Sequence, residues 1–298
     1  MALDPRLPVV VGVGQHQRRP DGSVVDLGSP LDMMASACRA AGHDSGTGDR
    51  LLREARSVQV VDILSWRVRD PAALLAAELG ASPKETVRST IGGNTPQLFV
   101  NDACLAIQRG DVDVVIIAGA EAMATIGRAR KNGETLRWPR DEGGAPTRVV
   151  GTDAPGSSEL EMARGLLLPT SMYPLIESAV RRARGAGVAE HSARIAELWA
   201  RFSEVAASNP NAWADEALSA EAIATPGPDN RMVGFPYPKL MNANLHVDQA
   251  AAVIVCSVEA AKAAGVPEDR WVFPWAGADA TDHWYVSERE SLATSPAI

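Results

Sequence analysis

Gly92-Gly93-Asn94-Thr95-Pro96 is the stretch of this 298-residue chain best placed to do chemistry. Thr95-Pro96 reads as the start of a helix, and a helix start offers unpaired N–H groups and the positive end of the dipole. That environment lowers the pKa of a thiol or binds an anion. The same residues also make a tight strand-to-helix corner closed by a threonine cap, and the local pattern leaves both roles open. A second polar stretch, Asn242-Ala243-Asn244-Leu245-His246-Val247-Asp248-Gln249, precedes an Ala-rich strand. Short polar side chains in such a place order a loop through Asx-type hydrogen bonds or line a pocket.

The remaining reactive residue types are dispersed. Cys38, Cys104 and Cys256 each stand alone in apolar surroundings, which fits buried thiols in a reducing compartment better than bridges or zinc ligands. His16 and His246 are isolated and fit structural histidines better than ligands, whereas His43, His191 and His283 read as surface or loop residues. No H-x-x-x-H or C-x-x-C spacing occurs, so no metal site is expected. Gly12-Val13-Gly14 follows a strand as a dinucleotide fingerprint would. The third glycine position holds Gln17, however, and no helix begins there, so a plain turn is the better reading.

These residues need elements to hold them. Residues 7–13 read as a buried strand ending in a turn at Gly12 and Gly14, and residues 32–41 as a helix stopped by Gly42. Residues 58–64 form a second strand. Residues 71–79 form a helix with Asp70 at its N-cap and Pro71 at its first position, where the missing N–H costs nothing. A strand at 87–91 runs into the helix 95–109, whose apolar residues wrap most of its circumference and predict burial between layers. Gly110 stops it. The continuous apolar run 112–118 predicts a strand covered on both faces, completing a strand–helix–strand unit that joins parallel strands. From 121 to about 238 no strand pattern of any strength occurs. Basic and Gly-rich segments (128–131, 137–144) flank amphipathic helical patterns at 173–184 and 189–207, which predicts an inserted helical and loop lobe. A strand at 249–258, a helix at 259–264 and a last strand at 270–275 close the chain.

With 46% apolar residues, 22% charged residues and a net charge of −8, this is a globular composition that excludes collagen-like and disordered chains. The acidic balance provides no electrostatic footprint for nucleic acid. No apolar run reaches the roughly 18 residues of a membrane span, and Met1-Ala2-Leu3-Asp4-Pro5 lacks the features of a signal peptide, so a cytoplasmic location is expected.

Taken together, the two polar stretches and their neighbours resemble the N-terminal half of the thiolase superfamily. The resemblance rests on Gly92-Gly93-Asn94-Thr95-Pro96-Gln97 leading the helix, on residues 106–123 ending in Gly119-Ala120-Glu121-Ala122-Met123, and on residues 242–257. It implies an α/β thiolase-like fold: a mixed, mainly parallel sheet, a buried central helix and an inserted helical lobe. The implied division is 1–123 with 239–298 as the α/β domain and 124–238 as the lobe, the C-terminal thiolase half being absent. It implies substrate-binding roles for Gly92, Gly93, Asn94, Met123, Asn242 and His246. Arg128, Arg130, Lys131 and Arg137 become the candidates for the phosphates of coenzyme A.

The sequence departs from the family in two places. Counted back from Glu121, Gly93 occupies the position of the acyl-accepting cysteine, so ordinary thiolysis loses its nucleophile. Cys104 lies too far inside the helix to replace it. The Gly-His-Pro histidine and Cys-x-Gly cysteine of the second thiolase half are not found before Ile298. The closest likeness is to sterol-carrier-type acetyl-CoA acetyltransferases. The expected function is acyl-CoA binding, with the thioester as ligand and no other cofactor. The alternative is a non-catalytic scaffold or partner subunit that completes a thiolase-like or retro-aldolase complex. The resemblance also implies a homodimer with the strand near 88–91 close to its two-fold axis, and leaves room for a separate C-terminal half as partner.

Overall fold

Apolar strand sequences alternate with helices along the first part of the chain, and glycine stops several of those helices. A computed structural model describes residues 3–140 and 144–296 of the assembled protein. The first elements are β1 (Pro8–Gln17), α1 (Pro30–Asp44), α2 (Arg50–Arg53), β2 (Ser57–Val60), α3 (Pro71–Leu79), β3 (Glu85–Ser89), α4 (Thr95–Arg109), β4 (Val114–Ala122), α5 (Met123–Asn132) and β5 (Arg148–Val150). Then come α6 (Glu159–Ala163), α7 (Pro169–Ala183), α8 (Val188–Ala207), α9 (Ala220–Ala224), β6 (Met232–Gly234) and β7 (Tyr237–Pro238). β8 (Asp248–Ser257) and α10 (Val258–Ala264) follow. The chain divides into two compact units, residues 1–153 with 245–279 and residues 154–244 with 280–298. Residues 124–140 and 144–153 therefore group with the first unit and residues 280–296 with the second. The expected chain start, the end at Ile298 and residues 141–143 of the expected lobe lie outside the described residues.

The first unit is built on a six-stranded mixed sheet in the order β1-β8-β4-β2-β3-β5. β8 runs antiparallel to both β1 and β4, whereas β4, β2, β3 and β5 run parallel to one another. β4 is covered on both faces, as its unbroken apolar run predicts. Val114, Ile116 and Ala118 face the core formed with α1, α2, α3 and α10, and Val115 and Ile117 face α4. The β3–α4–β4 unit does join parallel strands, but β2 lies between them, an order that local sequence does not encode.

The cap before α3 forms as its sequence predicts. Ala73 N–H donates to Asp70 Oδ1 at 2.9 Å, the Thr86 hydroxyl donates to Asp70 Oδ2 at 2.8 Å, and the helix ends on Gly80 in the left-handed region. α4 runs over the expected 95–109, yet it is buried along one side rather than around its circumference. Phe99, Ala103, Ala106 and Ile107 pack on the sheet, whereas Leu105 is 53% exposed.

Several local expectations are overturned by tertiary contacts. Gly12 and Gly14 do not form a turn but lie inside β1, because α1 crosses directly over them. A Cβ on Gly12 would sit 2.2 Å from the Ala41 carbonyl oxygen, and one on Gly14 would sit 2.0 Å from that of Ala37. Gly42 does not stop α1, which continues to Asp44. Residues 270–275 form no strand. They contribute a single bridge between Val10 and Val272, since Pro274 has no N–H to extend it. Strands do occur between 121 and 238, namely β5, β6 and β7, but they have three, three and two residues, too short to leave a pattern. β5 pairs with β3, so the strand at 85–89 is not the sheet edge that the expected two-fold axis requires.

The second unit has its own apolar core of Ile195, Ala196, Ile223 and Met241. Asn230 closes the end of α9, its amide donating to the carbonyls of Ala222, Ile223 and Thr225 at 2.9 to 3.1 Å. His191 is not a surface residue. It is 3% exposed on α8, with Nε2 2.6 Å from Glu177 Oε1, and Tyr237 donates its hydroxyl proton to the other oxygen of that carboxylate.

Candidate functional site

The start of α4 is held from behind and left open in front. Ser89 Oγ at the end of β3 accepts from Asp62 N–H at 2.9 Å, and the Thr95 hydroxyl donates to the Gly92 carbonyl at 2.7 Å. The Ser89 hydroxyl donates to that of Thr95 at 3.5 Å, and Thr95 is 3% exposed, so the corner is tied back to β3. Asn94 occupies the N-cap but its side chain caps nothing, and both Gly93 and Asn94 are exposed. A Cβ built on Gly93 would meet no atom within 4 Å, and Gly93 is not among the glycines with left-handed φ. Neither sterics nor backbone conformation therefore demands glycine there. Thr95 N–H donates to the Gly92 carbonyl at 3.2 Å and Pro96 has no N–H, so the donors that can meet an anion or a developing oxyanion are those of Gln97 in the first turn and of Gly93 and Asn94 ahead of it.

No thiol of this chain stands at that corner. Cys104 lies on the third turn of α4, about 14 Å along the helix from its start. Burial raises its pKa. Cys38 on α1 and Cys256 on β8 are buried, and desolvation pushes each thiol up to about 12. All three are held as the protonated, weakly nucleophilic form at neutral pH.

Met123 opens α5, half-buried, with its N–H donating to the Val247 carbonyl at 3.1 Å. His246 flanks the same helix, since a Cβ on Gly127 would lie 3.9 Å from its Nδ1. The structure thus brings Met123 and His246 to one junction, between the end of β4 and the start of β8. Asn242 belongs to the second unit, where its amide donates to the Pro238 carbonyl at 2.9 Å, the loop-ordering role that its sequence allows. Arg128 approaches Asp21 at 3.8 Å and Arg137 meets Asp26 at 3.0 Å. Arg130 and Lys131 lie exposed in the last turn of α5, where cations complement the carbonyl end of the helix.

Two carboxylates of the quoted stretches, Asp248 and Glu121, meet partners at this junction that local sequence does not link to them. Asp248, fully buried, accepts from Arg18 Nε at 3.2 Å and Arg18 Nη2 at 3.1 Å, from Thr125 N–H at 3.0 Å, and from the Thr125 hydroxyl. Arg18 Nη1 donates in turn to the Gly28 carbonyl at 2.8 Å. Glu121 accepts from Leu64 N–H at 2.6 Å and Ser65 N–H at 2.9 Å, tying the loop after β2 to the end of β4. Arg18 and Asp248 are 230 positions apart, and no local signal links them.

No protein-family model matches the chain, and no curated protein matches its sequence. Solved structures do. A monomeric SCP2-thiolase-like protein type 1 from Mycobacterium smegmatis is 32% identical with a TM-score of 0.78, over 99% of this chain and 55% of that one. An Ltp2-ChsH2(DUF35) aldolase is 17% identical with a TM-score of 0.70, over 98% of this chain and 67% of the other. Acetyl-CoA acetyltransferase from Syntrophomonas wolfei is 16% identical with a TM-score of 0.54, over 88% and 67%. The fold is thiolase-like. This chain spans about half the length of the SCP2-thiolase-like protein, 55% of it. Among the described residues, no helix is long and apolar enough to cross a membrane.

Proposed function

We propose that this chain is an acyl-CoA-handling protein, acetyl-CoA acetyltransferase-like, that holds its thioester ligand without forming an acyl-enzyme. The observation that carries this reading is the thiol-free start of α4, where Gly93 stands exposed and the three cysteines lie elsewhere in protonated form. Backbone N–H groups at Gly92, Gly93 and Asn94 face the thioester carbonyl and stabilise negative charge on its oxygen. Met123 and His246 contribute to the acyl side. Arg130 and Lys131 meet the coenzyme phosphates more readily than Arg128 and Arg137, which already face carboxylates. The cytoplasm is the proposed location. Isothermal titration with acetyl-CoA and longer acyl-CoAs, paired with intact-mass spectrometry, tests the reading. Saturable heat with an unmodified protein mass is expected; no affinity for any acyl-CoA, or an acylated protein, overturns it.

A second reading is favoured by the outer side of α4. Leu105 is 53% exposed there, and the chain spans 55% of the SCP2-thiolase-like protein. In this reading the chain is a non-catalytic partner or scaffold subunit whose α4 is covered by a separate thiolase half or another protein. Leaving apolar surface in water costs about 25 cal/mol per Å². Stable co-purification with such a protein, and ligand affinity in the complex alone, favours this reading. A homodimer formed through the sheet edge would pair β5 rather than β3, because β3 is already bonded on both sides.

A further inference from the structure

The first unit also contains a basic concavity of about 650 Å³. Arg67, Arg69, Arg88 and Arg140 line it, and Asp62 is the one acid among its described lining residues. Among the described lining residues four arginines thus stand beside one carboxylate, in a chain of net charge −8. The walls are fixed. Trp66 is 6% exposed and its indole N–H donates to the Pro139 carbonyl at 2.9 Å, while the Trp138 indole N–H donates to the Leu27 carbonyl at 2.9 Å. The first bond ties the loop after β2 to residue 139, the second ties residue 138 to the segment before α1, and both rings line the groove.

Arg88 carries the argument further. It projects from β3, and its Nε is sealed from solvent with no hydrogen-bond partner among the described residues. The residue as a whole is half-buried and lines the groove, so its guanidinium carries a buried donor with no bond of its own, and an anion seated against the same guanidinium offsets that cost. The acid near Arg67 does little to neutralise the groove. Arg67 Nη1 lies 3.5 Å from Asp62 Oδ2, at the limit of a hydrogen bond, and the side chains are 63% and 16% exposed, so the pairing is weak.

We infer that this groove binds a ligand of nucleotide size carrying two or more phosphate groups. Planar guanidinium forks match phosphate oxygens bidentately, and several of them converging suit a polyphosphate rather than one carboxylate. The volume lies within the roughly 300–1,000 Å³ of small-molecule sites. A free nucleotide and the diphosphate of coenzyme A carry this same chemistry.

The test is isothermal titration of the full chain with inorganic pyrophosphate and with ADP, succinate serving as the dicarboxylate control. It compares the native protein with Arg88→Gln and with the double variant Arg67→Gln/Arg140→Gln, the fold of each checked by circular dichroism. Both probes should bind the native protein, weaken about tenfold or more in each folded variant, and weaken with added salt. The double variant changes exposed positions only, so it decides the matter if Arg88→Gln does not fold. Failure of both probes to bind, undiminished affinity in the double variant, or succinate binding as tightly as pyrophosphate overturns the inference. Relative affinity assigns the source: coenzyme A binding more tightly than ADP identifies the coenzyme, and ADP binding more tightly than coenzyme A identifies a free nucleotide. The acyl-CoA reading is separable, because ADP binding without acyl-CoA affinity defeats that reading and leaves the groove intact.

Discussion

Two polar clusters of the first unit, the corner before α4 and the one around Asp248 at the start of β8, meet opposite fates. At the β8 junction every oxygen of Asp248 is used: Arg18 and Thr125 surround a carboxylate that has no contact with water. At the α4 corner the bonds run inward through Ser89 and Thr95, and the outward residues Gly93 and Asn94 hold nothing. A polar cluster that saturates itself is a structural joint. One that anchors its back and leaves its front donors exposed is available for a ligand.

The contrast is sharpest in stability. Asp248→Ala leaves the Arg18 guanidinium, whose side chain is 15% exposed, without its carboxylate, and is expected to cost about 3–5 kcal/mol in urea unfolding. A loss below about 1 kcal/mol would show that the junction is not the joint described here. At the open corner the expected effect is chemical. In Gly93→Cys the new thiol faces solvent at the helix start, and its thiolate fraction at pH 7 should make alkylation about a hundredfold faster than that of Cys38 or Cys256. Those two acids have folded-state pKa values raised from 9.0 to about 12, so they stay protonated and slow to react until the pH approaches that range. The same shift means that stability falls as pH rises from 9 towards 12, because the unfolded chain releases those protons first. Equal alkylation rates for all three positions would erase the distinction.

Helix starts extend the comparison. Asp70→Ala removes the bonds to Ala73 and Thr86 from a buried cap and should cost about 2 kcal/mol by chemical denaturation. Asn94→Ala, at a cap whose side chain bonds nothing, should change stability by less than about 0.5 kcal/mol. Comparable losses at both positions would mean that Asn94 is a working cap and that the α4 corner is closed like that of α3.

Much of this was legible before any coordinates. Asp70 and Pro71 announce α3, Thr95-Pro96 and Gly110 bracket α4, and the unbroken apolar run of β4 predicts cover on both faces; all three signals are local. What escaped was non-local. Gly12 and Gly14 look like a turn until α1 is laid across β1, and β5 is a strand only because β3 presents an edge to it. His191 looks like a surface residue until Glu177, itself held by Tyr237, meets it.

Periodicity, caps and stops act within a few residues, so the order of the amino acids alone decided which segments are helices and strands and where most of them end. The same order placed a glycine, not a cysteine, ahead of α4. Only the folded chain decided strand order, which side of α4 is covered, and which polar groups are spent on each other. Those outcomes depend on residues as far apart as Arg18 and Asp248, whose pairing energy exists only once the backbone has brought them within about 3 Å.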